Sequence, residues 1–191
     1  LLRKRREPEQ YEERIQEVIT QTDRLNQLID QLLQLARLEG GSIKKEMINI
    51  EKLAEETITK YDKQIVEKDI QVKIAIPVGT TVFTDNLFLS MVVDNLVSNA
   101  LKYGDSNSQI TIVWHDKGHL LSITNKGPEI SKEHLPFLFD RFYRTDDSRS
   151  SHIAGSGLGL AIVKKLADLM QLKITVDSYP GNTTFSLQFP S

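Results

Sequence analysis

The sequence predicts an α+β fold: a two-layer α/β sandwich, in which a mixed sheet of about five strands carries helices on one face, preceded by a long helix. Two patterns indicate this. After about residue 43, segments with apolar residues at helical spacing alternate with short segments in which apolar and polar residues alternate. Before that point, residues 11–36 hold one continuous heptad pattern. The predicted boundary divides the chain into residues 1–42 and residues 43–191.

The heptad segment predicts a helix that needs partner helices. Its apolar positions are spaced alternately by four and three residues: Tyr11, Ile15, Val18, Thr22, Leu25, Ile29, Leu32 and Ala36. Further apolar residues widen this stripe: Ile19, Leu28, Leu33 and Leu35. A stripe of that width suits a helical bundle better than a two-stranded coiled coil. Since one helix cannot bury the face alone, the pattern predicts a homodimer.

The second segment predicts helices and strands in alternation after a linker at residues 40–45. The predicted helices are Ile50–Ile65, Asp85–Tyr103 and Leu158–Met170. The predicted strands are Gln71–Ile76, Thr81–Thr84, Gln109–Trp114, Leu120–Thr124, Leu172–Asp177 and Thr183–Phe189. The third and fourth of these strands form a predicted hairpin, and a turn at residues 180–182 joins the last two.

Composition limits the classes of function. The 191 residues are 39% hydrophobic and 26% charged, with a formal net charge of −2, which argues against nucleic acid as the main partner. Cysteine is absent, which excludes disulfides, thiol catalysis and cysteine metal sites. No apolar run reaches the roughly 18 residues of a membrane span, and no signal peptide is evident. We therefore expect this part of the protein to be cytoplasmic.

A glycine-rich turn indicates phosphate binding. Gly155, Gly157 and Gly159 alternate in the stretch GSGLGL, which opens the predicted helix Leu158–Met170. Such a turn lets backbone N–H groups approach a phosphate, and the helix N-terminus favours negative charge. The spacing fits neither the P-loop nor the dinucleotide-binding fingerprint.

A second helix carries polar residues on one face. Asn95, Asn99 and Lys102 are separated by four and three residues on the otherwise apolar predicted helix Asp85–Tyr103. Burying amides and an ammonium there is costly without partners. An amide oxygen is a ligand for hard metal ions, and an ammonium suits phosphate. Together with the glycine turn, this face predicts a nucleotide site.

These motifs resemble those of the ATP-binding catalytic domain of sensor histidine kinases, within the wider GHKL ATPase group. Asp94–Tyr103 resembles the asparagine box, Asn125–Ile130 the first glycine box, Leu138–Arg144 the phenylalanine box and Gly155–Leu160 the second glycine box. The four occur in the expected order, and the resemblance covers nearly the whole chain. It implies a Bergerat-type ATP-binding fold for residues 43–191. Residues 1–42 would be part of the dimerisation and phosphoacceptor hairpin, without the helix that bears the acceptor histidine.

The resemblance also implies roles for individual residues. Asn99 is expected to coordinate Mg²⁺ at the ATP phosphates, with Asn95 beside it as a possible second ligand. Lys102 is expected near a phosphate, Tyr103 near the ribose or purine, and Arg144 at the γ-phosphate. The implied catalytic residues are thus Asn99, Lys102 and Arg144.

The glycine boxes supply the remaining implied contacts. The backbone of Gly155, Gly157, Leu158 and Gly159 is expected to cradle the phosphates. Gly127 and Ile130 are expected to bind nucleotide with Asn125, which stands where the family commonly has Asp and would accept the adenine amine bond through its amide oxygen. Glu129 replaces the second glycine of that box, which raises a question about the backbone, because a non-glycine residue disfavours positive φ.

Other polar features of the nucleotide segment have plainer interpretations. Residues 145–154 are serine-rich and polar, and we interpret them as a lid. Phe139 and Phe142 are expected to be packing residues. The histidines have neither metal spacing nor the neighbours of a phosphoacceptor, and are expected to be surface or capping residues: His115, His119, His134 and His152.

The implied function is transfer of the ATP γ-phosphoryl to a histidine of the dimerisation domain, for relay to a response-regulator aspartate. The expected partners are ATP, Mg²⁺, a response regulator and a second copy of the chain, in a protein anchored to a bacterial inner membrane outside this segment. Without the acceptor helix, the 191 residues are not expected to autophosphorylate. The alternatives are a GHKL ATPase of another class and a pseudokinase interaction module.

Overall fold

The computed structural model describes Tyr11, Ile15, residues 43–145 and residues 156–190. Tyr11 and Ile15 are helical. The rest of the predicted heptad helix, residues 146–154 of the predicted lid and Gly155 lie outside the described residues. The dimer prediction and the boundary at residue 42 therefore stay predictions.

Seven strands and four α-helices follow one another in the described segments. The strands are β1 (Lys45–Asn49), β2 (Gln71–Ala75), β3 (Thr81–Asp85), β4 (Gln109–His115), β5 (Leu120–Asn125), β6 (Lys173–Tyr179) and β7 (Asn182–Gln188). The helices are α1 (Ile50–Thr59), α2 (Asp62–Glu67), α3 (Asn86–Tyr103) and α4 (Gly159–Leu169), with a 3-10 turn at Leu135–Phe137.

The main sheet has five strands in the order β2-β4-β5-β7-β6. Strands β2 and β4 run parallel, and the other neighbours are antiparallel, so the sheet is mixed as predicted. The hairpin predicted at residues 109–124 is β4–β5, and the turn predicted at residues 180–182 joins β6 to β7. The α+β fold class and the five-stranded sheet are confirmed.

Strand β1 lies where the sequence predicts a linker reaching residue 45. It pairs antiparallel with β3, with Met47 opposite Phe83, and the two form a separate sheet. Asp85 fixes the entry to β1, because its Oδ2 accepts a hydrogen bond of 2.8 Å from the backbone N–H of Lys44. Since only two of the five residues in β1 are apolar, the pairing partner determines this strand more than its own pattern does.

The helix predicted at residues 50–65 is two helices. Around the break, the N–H groups of Lys60 and Tyr61 bond three residues back, to the carbonyls of Thr57 and Ile58. The Tyr61 hydroxyl donates to Asp94 of α3 at 3.2 Å. This tertiary contact lies at the break, which the apolar spacing does not show.

The core lies between the sheet and the helices. Helices α3 and α4 pack against each other and against β5 and β6. Their apolar residues are fully buried together with alternate residues of the strands: Leu96, Val97, Ile162, Leu166, Ile110, Ile112, Leu121, Ile123 and Leu187. Among the described residues, no helix is both long enough and apolar enough to cross a bilayer.

Candidate functional site

Helix α3 carries the first part of the site, and its start is fixed by Asp85. The Oδ1 of Asp85 accepts a hydrogen bond of 3.0 Å from the Phe88 N–H, which caps the helix. Asn95, Asn99 and Lys102 are all half-buried along the helix. The structure therefore brings the predicted polar residues to one side of α3, at the edge of the core.

Asn95 lies directly against the start of α4. Its Nδ2 donates to the Met91 carbonyl oxygen at 2.9 Å, one turn back on the same helix. A Cβ atom placed on Gly159 would come within 2.9 Å of Asn95 Oδ1. Gly159 is therefore needed for the close approach of the second glycine turn to the asparagine helix.

Asn99 lies one turn beyond Asn95, and its side chain makes no hydrogen bond to any residue in the described part of the chain. A half-buried amide without an internal partner is open to water or to a ligand. No group of three His, Cys, Asp or Glu residues that could hold a metal occurs in the described segments. A metal held by amide oxygens and phosphates would not require such a group.

The C-terminal end of α3 brings together charged and aromatic groups. The Nζ of Lys102 lies 5.2 Å from the centre of the Tyr103 ring. Burial raises the pKa of the Tyr103 hydroxyl, and the positive charge of Arg144 partly opposes that rise. The charge of Arg144, at the end of the phenylalanine-box segment, therefore acts on the end of the asparagine helix.

The first glycine turn packs against this end of α3. Asn125 is the last residue of β5 and is buried, with Nδ2 3.4 Å from the Lys126 carbonyl oxygen. A Cβ atom on Gly127 would come within 2.7 Å of the Tyr103 carbonyl oxygen and 3.3 Å of Asn125 Nδ2. The absence of a side chain at Gly127 therefore allows the turn and the helix to meet.

The end of the first glycine box adopts an ordinary backbone. Glu129 is not among the residues with positive φ, so the replacement of a glycine at this position causes no strain of that kind. The N–H of Ile130 donates to Ser178 Oγ on β6 at 2.9 Å, and Ser178 Oγ lies 2.8 Å from Thr183 Oγ1 on β7. These hydroxyls attach the turn to the sheet.

The second glycine turn is held by the phenylalanine-box segment. Gly157 has φ +73°, and a Cβ atom there would come within 2.8 Å of the Phe142 backbone. The Phe142 N–H donates to the Gly157 carbonyl at 3.0 Å. Leu158 is fully buried, and its N–H, predicted to face a phosphate, donates to Ser156 Oγ at 3.1 Å.

The prediction for the two phenylalanines is half right. Phe139 packs edge-on against Phe185, with ring centres 6.4 Å apart. Phe142 is 59% exposed and has φ +64°, so the prediction that it is a packing residue is wrong. The backbone at Phe142 is held by its N–H bond of 3.0 Å to the Gly157 carbonyl.

The described histidines are all engaged at the surface. His115 Nε2 lies 2.9 Å from Ser122 Oγ, and His119 occupies the β4–β5 turn. His134 Nδ1 lies 2.7 Å from the Tyr143 hydroxyl, beside the phenylalanine-box segment. His152 lies outside the described residues.

Three residues that the sequence patterns did not single out shape the site. Gly104 packs under the first glycine turn, where a Cβ atom on it would lie 3.4 Å from the Lys126 carbonyl oxygen. Its place directly after the predicted helix was a usable signal for the helix end, although its backbone is extended and not the left-handed cap such a glycine usually forms. Ser178 lies on β6 and Lys68 directly follows α2. No local sequence pattern marks either residue as part of the site.

Comparison with known proteins agrees with this geometry. Residues 84–191 match the family described as histidine kinase-, DNA gyrase B- and HSP90-like ATPases. The sensor-like histidine kinase SenX3 of Mycobacterium bovis is 33% identical over 181 residues, which cover 92% of this chain and 44% of that protein. The chain therefore spans less than half the length of this relative.

Solved structures share the fold. The histidine kinase ThkA, in a complex with the response regulator TrrA, superposes with a TM-score of 0.79 at 21% identity, covering 97% of this chain and 53% of that one. Full-length ShkA, in a complex with AMPPNP, gives a TM-score of 0.77 at 24% identity over 94% of this chain and 38% of that one. The chain therefore belongs to the family of histidine kinase-, DNA gyrase B- and HSP90-like ATPases, and within it represents the ATP-binding catalytic portion of a sensor histidine kinase.

Proposed function

We propose that the site formed by α3, the two glycine turns and the phenylalanine-box segment binds Mg²⁺-ATP and directs its γ-phosphoryl group to a histidine of a dimerisation domain, for relay to a response-regulator aspartate. The observation that carries this proposal is the half-buried Asn99 amide. It has no partner among the described residues, and it lies between the Asn95–Gly159 contact and the Tyr103–Gly127 contact.

The donors present fit a magnesium ion. Mg²⁺ in nucleotide sites keeps several waters and takes only one or two protein oxygens besides the phosphates. Asn99 offers one amide oxygen, and the Oδ1 of Asn95 offers a possible second, since its Nδ2 is already occupied by Met91. The ion would neutralise phosphate charge, and these two residues would set its position on α3.

The phosphate side combines backbone and cationic groups. Gly157 and Gly159 remove side chains where the turn meets Phe142 and Asn95, which leaves backbone close to the site. We propose that the backbone of Gly155 contributes to the same phosphate-binding turn. Lys102 and Arg144 supply the positive charge that phosphoryl transfer needs. Both act near Tyr103, which stands between the phosphate side and the purine side of the proposed site.

The purine side is proposed at Asn125, Gly127 and Ile130, with Tyr103 alongside. Asn125 is buried at the end of β5, and its amide oxygen can accept a hydrogen bond from the adenine amine. It gives up the negative charge of the Asp that is common at this position. Adenine selectivity should persist, with an affinity below that of an Asp-bearing relative.

The whole protein is proposed to be a homodimer through the 11–36 segment, to phosphorylate a response regulator and to be anchored to a bacterial inner membrane, with this portion in the cytoplasm. The heptad pattern supports the first of these. The likeness to ThkA, which was solved with a response regulator, supports the second, and the membrane anchor is proposed from the resemblance to sensor kinases.

Calorimetry of ATP binding with and without Mg²⁺ tests the site. Asn99→Ala should abolish the magnesium-dependent part of the affinity because it removes a metal ligand. The matched control is Asn86→Ala, an exposed asparagine at the other end of the same helix, which should bind as the parent does. Unchanged magnesium dependence in Asn99→Ala would contradict the assignment.

Transfer is tested by supplying a dimerisation domain with an intact histidine and γ-labelled ATP. Acid-labile label on that domain is the expected result, and Arg144→Met should reduce it more than it reduces ATP binding. Hydrolysis without transfer would favour a GHKL ATPase of another class. Absence of Mg²⁺-ATP binding in the parent would favour a pseudokinase module.

A further inference from the structure

The C-terminal end of α3 is capped by the side chain of Lys68, a residue from another part of the chain. Lys68 follows α2 directly, and its Nζ donates to the backbone carbonyl oxygens of Leu101 at 2.6 Å, Lys102 at 3.4 Å and Gly104 at 3.4 Å. The last carbonyls of a helix have no partners within it, and they carry the negative end of the helix dipole. One ammonium group therefore satisfies carbonyls that would otherwise need water.

The usual glycine cap is not used here. Gly104 follows the last helical residue, but its φ of −72° and ψ of 146° are extended, not left-handed. Its N–H makes an ordinary bond of 2.9 Å to the Ala100 carbonyl. The helix thus ends in an extended residue, and Lys68 supplies the donors that a left-handed glycine cap would have provided.

The backbone at Lys68 is anchored by hydrogen bonds. Its own carbonyl oxygen accepts a bond of 2.8 Å from the Asn107 N–H, and the Ser108 carbonyl accepts one of 2.8 Å from Gln71. These bonds connect the chain that leaves α3 to the start of β2. The backbone from which the Lys68 side chain extends is therefore anchored to the main sheet.

The residues held by Lys68 touch the purine side of the site. The Tyr103 carbonyl lies where Gly127 has no side chain, and the Asp105 N–H donates to the Lys126 carbonyl at 2.9 Å. Asn125 precedes these two residues of the turn. A shift of the last turn of α3 would therefore move the first glycine turn and the position of Asn125.

We propose that Lys68 is a positioning residue for nucleotide binding, acting through the carbonyl end of α3 on the purine side. The inference rests on the proposed function of the same site. Lys68 touches neither phosphate nor base in this arrangement. Its charge holds Lys102, Tyr103 and the first glycine turn in the geometry that accepts adenine.

A purely structural role makes a different prediction. If Lys68 only stabilised α3, its loss would lower the free energy of unfolding and leave the affinity of the folded protein unchanged. The positioning role predicts weaker ATP binding by protein that is still folded. It also predicts that ATP binding is restored when a small molecule equivalent to the removed part of the side chain is added.

The test uses Lys68→Ala, which removes the equivalent of propylammonium, with Lys63→Ala as control. Lys63 lies on α2, is 89% exposed and pairs with Glu67 at 3.9 Å. ATP affinity should fall about tenfold in Lys68→Ala, since a charge-assisted bond is lost. It should not change in Lys63→Ala. Circular dichroism and thermal unfolding establish that each variant is folded at the assay temperature.

Added propylammonium should restore ATP affinity in Lys68→Ala and should have no effect on the parent or on Lys63→Ala. Tetramethylammonium, which has the same charge but no N–H donors, should not restore it. Lys68→Arg, which retains charge and donors, should bind ATP better than Lys68→Ala. An unchanged affinity in folded Lys68→Ala, or equal rescue by both cations, would overturn the inference. Failure of the parent to bind Mg²⁺-ATP would instead contradict the proposed function.

Discussion

The two ends of the candidate site are built in different ways. At the purine end, the last turn of α3, the first glycine turn and β5 are joined by backbone hydrogen bonds, and Lys68 closes the helix. At the phosphate end, the second glycine turn meets Phe142 and Asn95 through missing side chains at Gly157 and Gly159. Both residues of the Phe142–Gly157 contact have positive φ, +64° and +73°. Both ends have backbone hydrogen bonds and a crowded glycine, but only the phosphate end adds positive φ on both sides of its contact.

This difference predicts different responses to substitution. A methyl group at a left-handed glycine adds backbone strain to any steric overlap, whereas one at an ordinary glycine adds overlap alone. The phosphate end should therefore be the more sensitive of the two to an added side chain. An added side chain at the purine end should cause a smaller loss of ATP affinity, since several hydrogen bonds hold that end in place.

The largest effect is expected for Gly157→Ala. The added Cβ would lie 2.8 Å from the Phe142 backbone at φ +73°, so the turn and the phenylalanine-box segment must separate. The free energy of unfolding should fall by about 1–3 kcal/mol from strain alone. ATP affinity, measured by calorimetry, should fall more than about tenfold as the phosphate cradle shifts.

Gly79→Ala is the matched control for that variant. Gly79 has φ +80°, but a Cβ atom on it would meet nothing within 4 Å, so it carries the strain without the overlap. It should lose stability and bind ATP as the parent does. Equal loss of affinity in both variants would mean that the Phe142–Gly157 contact does not shape the site.

Gly127→Ala should have the next largest effect, at the purine end. Its Cβ would lie 2.7 Å from the Tyr103 carbonyl, with no positive φ to add strain. Overpacking of this kind costs about 1–3 kcal/mol of stability. ATP binding should weaken less than in Gly157→Ala, and binding by the exposed neighbour variant Lys126→Ala should be unchanged. A greater loss in Gly127→Ala than in Gly157→Ala would reverse the ranking of the two ends.

Asn125→Ala should weaken ATP binding by about 1–3 kcal/mol, the cost of leaving a buried polar group on the base unpaired. GTP should bind poorly to both the parent and the variant. Asn125→Asp, which restores the more common residue, should bind ATP more tightly. Competition between ATP and GTP measures all three proteins, and equal affinity of the parent for the two nucleotides would refute the adenine contact.

The smallest effect is expected outside the site, at the Tyr61–Asp94 contact that joins α1 and α2 to α3. Burial, and then the charge of Asp94, raises the pKa of Tyr61 from 10.0 to about 12. The folded chain therefore holds this proton more tightly, and the stabilisation present below pH 10 is lost as pH rises toward 12. Denaturant unfolding of Tyr61→Phe should show a smaller loss across that window than the parent shows. An identical pH profile would mean that Tyr61 does not contribute.

The sequence predicted most of the fold because its elements are marked locally. Strand β4 alternates buried and less buried residues as its pattern indicates, and α3 begins and ends within a residue of its predicted bounds. Strand β1 was missed, and the helix at residues 50–65 was predicted as one. The strand pairs with the distant β3, and the break lies beside the contact of Tyr61 with the distant Asp94.

For the site, the sequence by itself determined which residue types stand in which order: amides and a lysine on one helix face, and alternating glycines at a helix start. The heptad and the spacing of apolar residues likewise follow from local periodicity, which is readable without coordinates. Only the tertiary structure decided that Gly159 meets Asn95, that Phe142 is exposed and left-handed, and that Lys68 closes α3. These features arise where segments distant along the chain compete for the same space and the same hydrogen-bond partners, and no local pattern records the outcome of that competition.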